Sequence, residues 1–181
     1  MPPSNDPILI DSEEHILHPF GANELKRFSS LSKDIFQVFN QEKTTLFLPH
    51  KYLIDIVHAE VLLQTGLLNQ YNGMSQLYFI TEKSTNKTIG MIELISPKGA
   101  QMHYNLTQYP YFIEFCLSDD HTGKGIMSIL LPKLIDKLKQ RGIKKIGAVA
   151  HPKNHSAIRV LHKAGLFKRT SFDIVQDVYH N

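Results

Sequence analysis

Hydrophobic and polar positions fall into two kinds of run along the chain. From Ala22 to Asn40, residues Leu25, Phe28, Leu31, Ile35, Val38 and Phe39 recur three or four apart, which predicts an amphipathic helix with a break near Ser29–Ser30. Gln41 to Thr45 is a polar connector, and Pro49 suits the start of a second helix over Lys51 to Leu68, interrupted near Gly66. Strand-like runs sit at Ile8 to Asp11, His15 to Phe20, Gln76 to Glu82 and Thr88 to Ile95, the last two flanking the polar turn Lys83 to Lys87. Ser96 to Gln108 reads as a loop, and Tyr109 to Leu117 as a central strand. A helix over 123 to 141 follows, carrying Ile126, Ile129, Leu130, Leu134 and Leu138, with a kink expected at Pro132 and a stop at Gly142. A strand over 143 to 150, a helix over 154 to 164 and two short strands, Phe167 to Ser171 and Phe172 to Tyr179, complete the chain. Strands in succession and then a strand–helix–strand–helix unit imply an α/β fold: a mixed sheet with helices on both faces.

The join between the central strand and the next helix carries chemistry. Leu117 to Met127 runs strand, polar loop, glycine pair, helix. Such a turn aims backbone N–H groups and the positive end of a helix dipole at one spot, which suits an anion. Gly123 and Gly125 permit close approach because they lack Cβ, and Lys124 adds charge. Two phosphate-loop patterns fail: Lys124 is followed by Gly125, where a Walker loop needs Ser or Thr, and Ser128 stands where the dinucleotide fingerprint needs glycine. The turn alone leaves a phosphate cradle and an ordinary tight turn both open.

A second stretch, His151 to Phe167, follows the 143-to-150 strand and carries Asn154, Ser156 and the ending Lys163-Ala164-Gly165-Leu166-Phe167. In this order, roughly 30 residues apart, the two stretches resemble the GNAT superfamily of acyl-CoA-dependent N-acetyltransferases. The resemblance is best over residues 76 to 167 and closest to the branch that acetylates the N-termini of ribosomal proteins, the RimJ/RimL type. It implies a GNAT-like fold, with a mixed, mostly antiparallel, splayed sheet of about six to seven strands. It also implies acetyl-CoA as cosubstrate, with the pyrophosphate on Thr122, Gly123, Lys124, Gly125, Ile126, Met127 and Ser128. The pantetheine arm would lie along Phe115 and Leu117 and against Asn154. The chain departs from the family at Asp120, where Gln or Arg is usual, at Ala157, where the branch has its helix serine, and at Leu161, where other branches have tyrosine.

Composition narrows the class. A chain of 181 residues with 42% hydrophobic residues is enough for one domain over 1 to 181, with 1 to 7 loose. The single cysteine, Cys116, rules out an intrachain disulfide and fits a reducing, cytoplasmic setting, where it reads as a small buried hydrophobe. No run approaches a transmembrane length and the start is not a secretory signal, so no membrane partner is expected. A formal charge of +3 suits an anionic cosubstrate, and without a basic run direct nucleic-acid binding is not expected. Ten histidines invite a metal, but no metal-ligand spacing accompanies them, so none is expected.

Acetyl transfer to an amine needs a deprotonated amine, hydrogen bonds to the thioester oxygen and correct positioning. Glu114, a carboxylate in an apolar strand, is a candidate base if burial raises its pKa; the alternative is a partner for a basic side chain on a neighbouring strand. Glu93 is a parallel case, and Ser156 is a candidate proton donor to the leaving thiolate. Tyr109, Tyr111 and His103 read as groove lining. The acceptor is a primary amine: a protein N-terminus or a small molecule such as a polyamine, amino sugar or amino acid. A non-catalytic acyl-CoA-binding module is the other reading, and the protein is expected as a monomer or homodimer.

Overall fold

The structure, a computed structural model, describes residues 7–104, 106, 108 and 110–181. Eight strands form one sheet in the order β1-β2-β3-β4-β5-β6-β8-β7. They are β1 (Ile10–Asp11), β2 (His15–Pro19), β3 (Ser75–Glu82), β4 (Lys87–Ile95), β5 (Tyr111–Leu117), β6 (Ile146–Ala150), β7 (Phe167–Ser171) and β8 (Asp177–His180). All pairings are antiparallel except β5 with β6. The count exceeds the six to seven strands that the family resemblance implies and equals the eight strand runs read along the chain; two-residue β1 forms the edge, pairing with Ile16 and Leu17 of β2.

Among the described residues seven α-helices accompany the sheet: α1 (Ala22–Lys26), α2 (Phe28–Phe39), α3 (Glu42–Thr45), α4 (Ile56–Tyr71), α5 (Pro97–His103), α6 (Ile126–Gln140) and α7 (His155–Lys163). The central strands are buried on both faces and read as nearly unbroken apolar runs. Strand alternation sends Tyr78, Ile80, Ile92 and Ile113 to a core shared with α6 and α7. It sends Leu77, Phe79, Met91 and Cys116 to a second core under α2 and α4.

Several boundaries depart from the sequence pattern for local reasons. The first helix breaks at Arg27, not at Ser29–Ser30. Arg27 leaves helical geometry, and its guanidinium reaches Asp34 at 3.8 Å and Thr88 Oγ1 at 3.0 Å, tying the elbow to β4. Within the expected connector, Glu42–Thr45 is a helical turn. The second long helix begins five residues later than expected, where Asp55 accepts the His58 N–H at 3.0 Å as an N-cap. It runs through Gly66 without interruption. A Cβ there would stand 2.3 Å from Leu77 Cδ1, so this glycine serves close helix-to-sheet packing. The expected 96–108 loop holds α5, started by Pro97 and capped by Ser96, whose Oγ accepts the Gly99 N–H at 3.1 Å. Helix α6 continues through Pro132 to Gln140.

Candidate active site

The parallel β5–β6 pair holds only at Tyr111↔Ile146 and Phe112↔Gly147. Beyond it the strands part. Tyr111 N–H donates to the Lys145 carbonyl on the β6 side at 3.2 Å, whereas Ser118 N–H donates to Ile89 on the β4 side at 2.9 Å. Backbone groups alternate along a strand, so Ile113, Phe115 and Leu117 present theirs to the gap. This is an open strand edge inside the molecule, and two adjoining cavities lie along it.

The first cavity, about 460 Å³, runs from Phe115, Cys116 and Leu117 along the loop Thr122, Gly123, Gly125, Ile126, Met127 and Ser128 to the first turns of α7. Gly125 has φ 79° and Gly123 φ 74°, and a Cβ on either would meet no protein atom within 4 Å. The start of α6 has no side-chain cap and no acidic residue in its first turn, so its leading N–H groups stay available to an anion. Lys43, Arg159 and Lys163 add positive charge to the walls. Lys124 is exposed and lies outside the described lining, as does Asp120. The unusual acid at position 120 therefore faces solvent. Asp119 is the acid that reaches the cavity, and Lys43 offsets it at 3.2 Å. Its N–H also donates to Gln41 Oε1 at 2.9 Å, so the segment around α3 grips the glycine loop.

Asn154 lines both cavities and caps α7, its Oδ1 accepting the Ala157 N–H at 3.1 Å. Ala157 also lines both. Ser156 lines only the first cavity, where its hydroxyl oxygen accepts from Arg159 Nη2 at 3.5 Å. The single-residue shift between Ser156 and Ala157 thus decides which cavity each position meets.

The second cavity, about 310 Å³, lies on the other side of Phe115 and meets the first at Phe47, Leu48, Phe115, Asn154 and Ala157. Glu114, His50, Tyr104 and His151 are its ionisable side chains among the described residues. Glu114 stands directly opposite Glu93 across β4–β5. Lys51 lies between them, 2.7 Å from Glu114 and 2.8 Å from Glu93, and His50 Nε2 approaches Glu114 at 3.6 Å. Burial alone would raise the Glu114 carboxyl, but Lys51 and His50 outweigh it and hold the group at about 2. The burial effect expected from the sequence is present, and a cation reverses its sign. That cation comes from the 3-10 turn Pro49–Lys51, not from a neighbouring strand. The same pair of carboxylates pushes the Lys51 ammonium upward, so it stays charged. Burial pushes the Cys116 thiol up to about 12, which keeps it protonated and inert, as its apolar surroundings imply.

Of the other groove-lining expectations, Tyr111 packs against the core and His103 is exposed; neither lines either cavity among the described residues. Tyr109 lies outside the described residues. The sequence reading missed His50, Lys51, Tyr104 and Phe47 as site residues. They come from connecting segments with no motif spacing, and only the run Leu48-Pro49-His50-Lys51 marks the place, with a rigid turn followed by two basic residues. No group of three or more potential metal ligands occurs among the described residues, and no described helix is long and apolar enough to cross a membrane.

An open strand edge, a glycine turn suited to phosphates and a second, adjoining cavity lie side by side. The model for the acetyltransferase (GNAT) domain matches residues 24–166, and the chain belongs to that family, as an acetyl-CoA-dependent N-acetyltransferase. Solved structures share the fold across the chain. RimL, a ribosomal L7/L12 α-N-protein acetyltransferase in complex with coenzyme A, superposes with TM-score 0.72 at 14% identity, covering 96% of this chain and 97% of that one. A putative ribosomal-protein-serine acetyltransferase from Vibrio cholerae gives 0.70 at 16% identity, covering 100% and 99%. Spermidine N-acetyltransferase from Vibrio cholerae, in complex with CoA and spermine, gives 0.63 at 16%, covering 93% and 94%. A search of curated proteins found no match by sequence.

Proposed function

We propose that the protein transfers the acetyl group of acetyl-CoA to the α-amine of a protein or peptide N-terminus, by direct attack and without an acyl-enzyme. The observation that carries this is the meeting of two cavities beside the unpaired edge of β5. One has the N–H groups and cations that an anionic cosubstrate needs, and the other is open to an amine.

In this reading the phosphates rest on the backbone of Thr122 to Ser128, with Gly123 and Gly125 allowing close approach and Lys124 flanking the turn from solvent. The amide-bearing arm pairs with the β5 edge at Phe115 and Leu117 and passes the Asn154 side chain. The Phe115 N–H on that edge is the donor placed to stabilise charge developing on the thioester oxygen. Glu114 keeps a negative charge at the acceptor cavity and attracts an ammonium group. Ser156, whose oxygen is engaged by Arg159, retains its O–H to donate toward the departing sulfur.

An α-amine is the favoured acceptor for a reason of proton affinity. Its pKa is about 8, against about 10.4 for a lysine-type amine, so far more of it is neutral at physiological pH. Among the described residues the acceptor cavity has a single carboxylate, already shared with Lys51, which is thin provision for a polycation. A screen that follows CoA release with free peptides, N-terminally blocked lysine peptides, spermidine, amino sugars and amino acids tests the proposal. Transfer to free N-termini, mapped by mass spectrometry, supports it. Preference for a small amine replaces the acceptor, and binding of CoA without transfer to any amine replaces catalysis with a binding role. Residence in the cytoplasm belongs to the same proposal.

A further inference from the structure

We infer that His50 is the base that takes the proton from the acceptor ammonium, with Glu114 orienting its ring. This rests on the acetyltransferase reading and adds a residue to it. Four ionisable side chains line the acceptor cavity among the described residues, and three of them are poorly suited to the task. Glu114, held at about 2 against the pull of burial, is too weak a base for an ammonium. Tyr104, pushed up to about 12 chiefly by burial, keeps its own proton near neutrality and takes up no other. His151 has its Nδ1 engaged by the Lys153 N–H at 3.1 Å, and its ring packs on Phe47 with centroids 5.4 Å apart.

His50 is arranged differently. Its side chain is 63% exposed yet lines the cavity, and its Nε2 faces Glu114 Oε2 at 3.6 Å. A carboxylate only accepts hydrogen bonds, so the nitrogen facing it carries the hydrogen, which leaves Nδ1 as the basic nitrogen. The Pro49–Lys51 turn fixes the ring through its neighbour, because Lys51 is locked between Glu93 and Glu114. The charged and titratable groups around His50 are Glu114 from β5, Lys51 from its own turn, Glu93 from β4 beyond Lys51, and Tyr104 and His151 across the cavity.

The proton balance is complete. The ammonium gives one proton to His50 Nδ1, and the neutral amine nitrogen bonds to the thioester carbonyl carbon. The carbon–sulfur bond breaks, the second amine proton goes to the thiolate sulfur by way of Ser156, and His50 returns its proton to water. The products are an N-acetyl amine and free CoA.

The test is the pH dependence of kcat/KM for wild type and His50→Gln with a free-N-terminus peptide, alongside the Kd for CoA. The expected result is an unchanged CoA Kd and a fall in kcat/KM of about 100-fold, the scale of general-base catalysis. The acidic limb of the profile disappears with it, and added imidazole partly rescues His50→Ala. A variant within threefold of wild type that keeps the acidic limb overturns the assignment and leaves the acetyltransferase reading intact. A wild-type protein that binds CoA but acetylates no amine overturns both.

Discussion

Glu93 and Glu114 are direct cross-strand partners on β4 and β5, and a single Lys51 ammonium lies within 2.8 Å of both carboxylates. Two like charges facing each other on neighbouring strands would repel, so the pairing depends on the lysine. The lysine arrives from the connection between α3 and α4, which also brings Phe47 and His50 to the cavity. The cluster therefore fastens the α3–α4 connection to the sheet.

Removing the lysine leaves two half-buried carboxylates without their shared cation. Lys51→Met is expected to lower folding stability by about 3–5 kcal/mol at pH 7, the scale for breaking a buried charge pair. Adding Glu114→Gln to that variant recovers part of the loss. Urea denaturation of the two single variants and the double variant measures the coupling; a Lys51→Met protein as stable as wild type contradicts the cluster.

The depressed Glu114 carboxyl gives stability a defined pH dependence. Its pKa is about 2 in the folded chain and 4.5 as an ordinary glutamate, so the unfolded chain binds the proton first on acidification. The contribution is complete above the unfolded value and is lost as pH falls from about 4.5 toward 2, on the order of 2–3 kcal/mol. Glu114→Gln removes this slope, and denaturation curves at pH 6, 4 and 3 compare the two.

Two glycines are expected to respond in opposite ways. Gly125 has φ 79° and open space about it, so Gly125→Val strains the turn by about 1–2 kcal/mol and places a side chain where the cosubstrate would pass. CoA affinity should fall by more than tenfold while the chain still folds. Gly66→Val collides with Leu77 and should destabilise the fold by about 1–3 kcal/mol with CoA affinity unchanged. Calorimetric titration with CoA and thermal unfolding on both variants separate binding from packing.

How much of this was legible in the sequence depended on whether a residue's role follows from its near neighbours. The strand-turn-helix around Gly123 and Gly125 could be read because period change, glycine and helix start are local signals. The start of α7 near Asn154 could be read for the same reason. The electrostatics of Glu114 could not, because the deciding charge on Lys51 lies far away in sequence. Gly66 misled because a glycine that breaks a helix and one that lets a strand approach look alike without the partner, Leu77. Arg27 set its helix break through contacts with Asp34 and Thr88, so propensity near Ser29–Ser30 pointed a little too far along.

Arg159 and Lys163 stand one turn apart on α7 and both line the cofactor-side cavity. Arg159→Gln with Lys163→Gln should weaken CoA binding by about tenfold at low salt and reduce its salt dependence. Both positions are exposed, so stability should change little. Titrations at two ionic strengths check this.

A thermal-shift titration with acetyl-CoA, with CoA and ATP for comparison, tests the central claim most directly. At about 100 times its Kd a ligand stabilises the folded chain by about 2.7 kcal/mol, which is a shift of several degrees. Saturable stabilisation by acetyl-CoA and CoA, and none by ATP, is the expected result. No shift with either CoA species would contradict the glycine turn and the open β5 edge as a working cosubstrate site.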